Sequence, residues 1–274
     1  GHDKLNQLRH VRFFKDINGL HEHMRKHADI LRPKFELVLA TLDKDQKTIS
    51  LTSFMRDLYV AIPGYSSTRI NAAYAYGGMD LLDETLTQNF GVEIDGNVEV
   101  DFEVFQVLVD KVGGIDLELT QAEADYICGR DQSVLYPQPL RTDWDLQEGM
   151  NHLDGEQALI HARNRSIGNS DYRRTERQQE VLMAAFEKVK DLSAFSIAGL
   201  VKDVLPLVTT DLSFTEIIGY AMDVMSIGTG DIATYRIPED GAYTPQTISG
   251  MQVLVPDLEQ NRKYLQQVLY HAEA

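Results

Sequence analysis

The chain has 274 residues, of which 43% are apolar, 25% charged and 8% aromatic, the profile of an ordinary globular protein and not of a disordered, collagen-like or disulfide-stapled one. With 26 Lys and Arg against 42 Asp and Glu the formal charge is −16, which argues against broad nucleic-acid binding. One cysteine, Cys128, excludes an intrachain disulfide and a CxxC site. No run of 18 apolar residues marks a membrane span, and residues 4–27 are too polar for a secretory signal core.

Residues 4–31 carry Leu5, Leu8, Val11, Phe14, Leu20 and Met24 at roughly helical spacing, interrupted at Asp16–Gly19. The β-rich runs 36–42 and 48–53, joined by the polar 43–47, predict a hairpin. Tyr59-Val-Ala-Ile is a further strand signal, stopped by Pro63-Gly64. Helix is expected over 71–90 before Gly91, then a strand at 97–101 and a helix at 103–112 ended by Gly113-Gly114. Ile115-Asp-Leu-Glu-Leu119 alternates as a half-buried strand does. The turn formers of 129–148 predict a loop. Helices follow at 155–162, 171–191 and 213–226, then a strand at 233–237 and a last helix at 256–272. Strands interleaved with helices and no clean linker imply one layered α/β domain over 1–274, with 1–34 as a helical N-terminal segment.

The chemistry concentrates between residues 163 and 177. Five arginines (Arg163, Arg165, Arg173, Arg174, Arg177) stand there against Asp171 and Glu176, a positive island in an acidic chain. Arginine presents a planar fork that holds phosphate or carboxylate in a bidentate way. Ser170 or Asp171 is placed to cap a helix on which Arg174 and Gln178 lie four apart on one face, near a helix N-terminus that itself favours anions. Arg163 and Arg165 would point the same way if the preceding segment were extended. A phosphate or pyrophosphate is the natural guest; the bland alternative is a solvated helix face paired with nearby carboxylates. Two further arginines weigh against it. Arg56 follows a strand, where α/β sheets gather ligand groups, and Arg69 precedes the small-residue helix Asn71-Ala-Ala-Tyr74. His23 and His27 are spaced i, i+4 but lack a third metal ligand, so a surface pair is the simpler reading.

Taken together, Arg56-Asp57 with Ile62-Pro63-Gly64, Arg69-Ile-Asn-Ala-Ala-Tyr74, Val100-Asp101-Phe102, Gly113-Gly114-Ile-Asp116, Ala158-Leu159 and Arg163-x-Arg165…Asp171-x-x-Arg174-x-x-Arg177-Gln178-Gln179 resemble the LytR-CpsA-Psr family. The resemblance runs in order from about residue 37 to 190. It implies an α-β-α sandwich with a mixed central sheet and a hydrophobic lipid-binding tunnel, in an extracellular, membrane-anchored domain of a Gram-positive-type bacterium. It implies a phosphotransferase that moves teichoic acid or capsular polysaccharide from a polyprenyl-pyrophosphate carrier to peptidoglycan, with no nucleic-acid partner. Carried across, Arg56, Arg163, Arg165, Arg174 and Gln178 would hold the pyrophosphate, and Arg69 stands where many members have lysine. Asp171 would orient the arginines or act near the acceptor hydroxyl, which gives Arg56, Arg163, Arg165 and Asp171 the catalytic roles.

The family also uses Mg²⁺ held by aspartates. Here a gapless register puts Phe35 where one such aspartate falls, with Glu36 beside it, and Arg173 replaces a common glycine. Asp3, Asp29 or Glu36 would have to rebuild that metal site. A binding module without catalysis and a lipid pyrophosphatase are the alternative expectations.

Overall fold

The computed structural model describes residues 37–134, 137–168, 171–190, 192–227 and 232–270, the side chains of Asp171 and Tyr172 excepted. The expected helix over 4–31, and with it Asp3, Asp29, His23, His27, Phe35 and Glu36, lies outside the described residues. The first half of the chain runs β1 (Leu37–Asp43), β2 (Thr48–Phe54), β3 (Tyr59–Val60), β4 (Thr68–Arg69), α1 (Asn71–Phe90), β5 (Val98–Glu99), α2 (Phe102–Lys111), β6 (Ile115–Leu119) and α3 (Gln121–Ile127). There follow β7 (Gly149–Leu153), α4 (Gly155–Arg163), α5 (Asp171–Lys190), α6 (Ala194–Val204), β8 (Thr209–Thr210), α7 (Phe214–Ile227), β9 (Ile232–Ile237), β10 (Tyr243–Ile248), β11 (Met251–Pro256) and α8 (Leu258–Tyr270).

The largest sheet is mixed, in the order β1-β2-β9: β1 and β2 form the expected hairpin, and β9 joins β2 in parallel. Asp43 shapes the hairpin turn, its Oδ1 accepting the Asp45 and Gln46 N–H groups. As the middle strand, β2 is buried from Ile49 to Phe54 on both faces. Phe54 points into an apolar cluster with Leu37, Leu39 and Ile237 of the sheet, Leu82, Leu86 and Phe90 of α1, and Leu265 and Leu269 of α8. Phe54 and Phe90 meet edge to face at 5.2 Å. Ser53 projects from the other side of β2, where its Oγ accepts from Gln179 of α5. Helices therefore cover both faces of the sheet, giving the α-β-α layering.

A second apolar cluster sits between α2, α4, α5 and the β6–β7 pair, with Ile115, Leu119, Ile127, Leu153, Ala158, Ala162 and Val181 at its centre. Its helices start cleanly. Asp101 caps α2 by accepting the Val104 N–H, and capping boxes Thr120/Glu123 and Asp154/Gln157 open α3 and α4. The strand at 115–119 shows the predicted alternation of buried and exposed residues.

Departures from the sequence pattern have local causes. The strand signal at Tyr59 shrinks to two residues, and α1 is broken at Gly77-Gly78, where Gly78 takes φ +69°. The last helix begins at Leu258, because Pro256 ends a strand instead. Among the described residues no helix is long and apolar enough to cross a membrane.

Arg177 belongs to the fold and not to an anion site. Its side chain is 1% exposed, and its Nε donates to Glu123 Oε1 at 2.8 Å, Nη1 to the Asn164 carbonyl at 3.2 Å and Nη2 to the Ile167 carbonyl at 3.0 Å. Burial pushes the Glu123 carboxyl up, but hydrogen bonds from Arg177 and from the Thr120 backbone and hydroxyl, with His161 nearby, hold it below its ordinary value. A carboxyl depressed in the folded state contributes stability above its unfolded value, and that contribution is lost as pH falls through the folded one.

Three outcomes follow for stability. Phe54→Ala is expected to lower unfolding free energy by about 3–5 kcal/mol in urea denaturation, the range for emptying a buried aromatic site. Arg177→Met strands Glu123 and costs about 3–5 kcal/mol by the same measurement. Melting followed by circular dichroism should show the parent losing stability on the acid side of the ordinary glutamate range, while Glu123→Gln starts lower and changes less there.

Candidate functional site

The site grows from the end of β2. Met55 N–H still donates to the Ile237 carbonyl at 2.8 Å, so Arg56 leaves the sheet beside the end of its parallel neighbour β9. Asp57 then fixes two arginines at once. Its Oδ2 lies 3.3 Å from Arg56 Nε and its Oδ1 3.1 Å from Arg69 Nε. The Asp57 carbonyl accepts the Leu254 N–H of β11 at 2.9 Å, and Arg69 Nη2 donates to the Gln252 carbonyl at 2.6 Å. Arg56 and Arg69 each keep about a third of the side chain exposed (32% and 33%).

From Arg69 the chain enters α1, whose Tyr74 hydroxyl donates to the Glu99 carboxylate of β5 in a short hydrogen bond. Three residues on, the Phe102 ring lies 4.5 Å under the Arg163 guanidinium, a cation–π contact that orients an otherwise exposed side chain. Arg163 is the last residue of α4. The extended segment that would have aligned it with Arg165 is therefore absent: the helix continues to Arg163 because Ala158, Leu159 and Ala162 are needed in the core. Asn164 leaves the helix, its Oδ1 accepting the Ser166 and Ile167 N–H groups, and Arg165 is exposed on that turn.

Arg177 clamps this turn to α5, on which Arg174 and Gln178 share a face as their spacing predicts. Both are buried, at 7% and 8% exposure. Gln178 Oε1 has no hydrogen-bond partner among the described residues, an unmet polar demand inside a site rich in donors. The next residue ties α5 to the sheet. Gln179 Nε2 donates to Ser53 Oγ at 3.1 Å and to the Tyr235 carbonyl at 3.0 Å, three residues before Arg56.

Asp57 thus joins Arg56 to Arg69, Phe102 seats Arg163, and Gln179 ties α5, which carries Arg174 and Gln178, to the strand that leads to Arg56, with Arg165 on the turn that Arg177 holds. Arg173 stands apart in an exposed i, i+3 pair with Glu176, whose hydrogen bond raises its affinity for its proton. The Asp171 side chain lies outside the described residues. The sequence did not announce Asp57 as a bridge, Phe102 as a platform or Gln179 as a tie to the sheet. Only the doubled Gln178-Gln179, one facing the site and one the strands, carried a trace of that division.

The described residues do not fit a divalent cation by themselves. No group of three or more His, Cys, Asp or Glu converges among them, and both oxygens of Asp57 are taken by arginines.

The LytR_cpsA_psr family model matches residues 36–267. A model described as aspartate amino-transferase matches residues 1–57 alone, a fifth of the chain, and overlaps the first over the opening hairpin. The polyisoprenyl-teichoic acid–peptidoglycan teichoic acid transferase TagT of Bacillus subtilis (strain 168) is 30% identical over 210 residues, covering 75% of this chain and 62% of its own length. The transferase named TagU of Enterococcus faecalis (strain ATCC 700802 / V583) is 32% identical over 194 residues, covering 69% of this chain and 58% of its own. The chain thus spans about three fifths of the length of the curated relatives it matches.

Among solved structures, TagV of Bacillus subtilis superposes with a TM-score of 0.67 at 28% identity, over 87% of this chain and 90% of that one. TagT with bound octaprenyl pyrophosphate lipid superposes with a TM-score of 0.64 at 25% identity, over 85% and 83%. The order of motifs around the arginines, the mixed α/β architecture and a family match over most of its length agree, and this chain belongs to the LytR-CpsA-Psr family.

Proposed function

We propose that this chain transfers an anionic glycopolymer of the teichoic acid or capsular type from a polyprenyl-pyrophosphate carrier to peptidoglycan. The observation that carries this is the Arg56 and Arg69 pair held on Asp57 at the end of β2, with the α5 face of Arg174 and Gln178 tied to that strand by Gln179 and with Arg163 seated on Phe102, in a chain of charge −16. Such an island of forked donors suits a diphosphate, and the relatives' names supply the substrate class. The same proposal locates the reaction at the outer face of the cytoplasmic membrane of a Gram-positive-type bacterium, where the relatives' named acceptor, peptidoglycan, lies. The lipid tail would need an apolar lining, which the residues of the two apolar clusters can supply.

The reaction is a phosphoryl transfer. An acceptor sugar oxygen attacks the glycan-side phosphorus, the P–O bond to the bridging oxygen breaks, and polyprenyl phosphate leaves with the electron pair. Arg56, Arg69 and Arg174 neutralise the charge gathering on that leaving phosphate, where fixed donors act without reorganisation. Arg163 and Arg165 hold the glycan-side phosphate, and Gln178 donates from its amide. Asp171, at the start of α5, is the candidate to orient the arginines or take the hydroxyl proton. Candidate Mg²⁺ ligands remain Asp3 and Asp29; the metal would supply further charge neutralisation, and no step here runs through it.

Arg56→Lys is expected to fold as the parent does and to lower the transfer rate about 10²-fold, because a point charge loses the two-pronged geometry. Arg163→Ala, exposed and outside the core, should weaken binding of a short-tailed polyprenyl pyrophosphate about tenfold or more, the loss of a charged hydrogen bond. The check is product analysis with a labelled donor and peptidoglycan fragments. Label on the fragments supports transfer, whereas free labelled phosphate points to a pyrophosphatase and unchanged donor to a capture module. An Arg56→Lys variant as fast as the parent would reduce Arg56 to a partner of Asp57.

A further inference from the structure

An open polar cavity of about 480 Å³ lies at the end of β9, bounded by Glu176 and Gln179 of α5, Arg236 of β9, Glu239 and Asp240 of the following turn, and Tyr264 of α8. Its size is that of a small-ligand site. Gln179 joins it to the strand that leads to Arg56, since the same amide that lines the cavity ties α5 to Ser53 and Tyr235. Because Met55 N–H pairs with the Ile237 carbonyl, Arg56 after β2 and Glu239 after β9 leave adjacent strand ends.

The walls are built and not merely exposed. Asn261, 0% exposed, accepts the Glu239 N–H at 2.9 Å and donates to the Ala242 and Asp257 carbonyls at 2.8 and 2.7 Å. Ala242 N–H closes the turn onto the Glu239 carbonyl at 3.0 Å. Arg236 Nη2 donates to Asp240 Oδ1 at 2.5 Å, and the Tyr235 and Tyr264 rings meet edge to face at 6.1 Å. Burial and the nearby Glu239 carboxylate raise the Tyr264 hydroxyl above its ordinary range, which keeps it a hydrogen-bond donor.

Charge decides what fits. Glu176 is paired with Arg173 and Asp240 with Arg236, so the Glu239 carboxylate gives the cavity its net negative sign beside the arginines assigned to the diphosphate. Two neighbouring sites of opposite sign call for two different ligands. An anionic polymer is repelled from the cavity, while a neutral, hydroxyl- and amide-bearing sugar finds carboxylates and the Gln179 amide oxygen for its hydroxyls, Arg236 for an acetamido oxygen, and a tyrosine ring for its apolar face.

We propose that this cavity is the subsite for the neutral saccharide acceptor, which it holds beside the diphosphate bound at the arginines. The assignment rests on the transfer reaction proposed above and separates its two substrates by charge. Thr234 is an exposed β9 residue on the cavity wall, so Thr234→Trp fills the space without disturbing the core. Glu239→Gln with Asp240→Asn removes charge at constant shape.

The test titrates the full chain calorimetrically with chitotetraose, a neutral N-acetylhexosamine oligomer, and separately with inorganic pyrophosphate. The parent should bind chitotetraose saturably. Thr234→Trp should weaken that binding about tenfold or more and the double variant severalfold, with pyrophosphate affinity and melting temperature unchanged in Thr234→Trp. No binding of chitotetraose by the parent, or equal binding by parent and both variants, overturns the assignment. Cavity-dependent chitotetraose binding without pyrophosphate binding leaves the saccharide subsite standing and overturns the transfer reaction instead.

Discussion

A guanidinium sealed inside the protein sets the geometry of everything around it. Arg177 spends its donors on one carboxylate and two backbone carbonyls, drawn from two stretches of chain: Glu123 opens α3, and Asn164 and Ile167 shape the turn after α4. Desolvating such a pair costs about as much as the pair returns, so its worth is positional and not a large stabilisation. It fixes the angle at which α5 leaves the turn. Arg163 precedes that turn, Arg165 lies on it and Arg174 and Gln178 follow it on α5, so their mutual placement depends on a residue buried away from solvent.

The electrostatics follow from that placement. Positive side chains drawn together in water repel one another, and burying Arg174 and Gln178 makes the arrangement dearer still. The fold tolerates it by giving the cations local partners: a carboxylate shared by Arg56 and Arg69, an aromatic ring under Arg163. In a chain otherwise strongly acidic, such a concentration of arginines favours an anion.

What the sequence disclosed, and what it withheld, divides by range. The β1–β2 hairpin, α1, α5 and the alternation of β6 were readable because their periods are local. The seven-residue α3 is too short for a periodic signal, and β7, with Gly149, Asn151 and His152, becomes a strand only because β6 pairs with it. The parallel union of β2 with β9 joins segments about 180 residues apart, which no window along the chain reveals. At the site, the i, i+4 face of Arg174 and Gln178 was legible. The roles within the arginine cluster were not, since Arg177 inside, Arg173 in a surface pair and Arg163 over a ring share one side-chain chemistry and differ only in surroundings.

That same β2–β9 union explains why opposite charges meet at one edge of the sheet. Parallel strands end on the same side, so whatever follows each strand is delivered to a common rim. After β2 comes Arg56-Asp57, held toward Arg69; after β9 comes the turn of Glu239 and Asp240, held by Asn261. Gln179 stands between them, bonded to both strands. A transfer reaction needs its donor and acceptor close together yet chemically sorted. One rim with a cationic flank and an anionic flank would sort the two substrates of the proposed transfer by charge, with paired strands and a single helix holding both flanks.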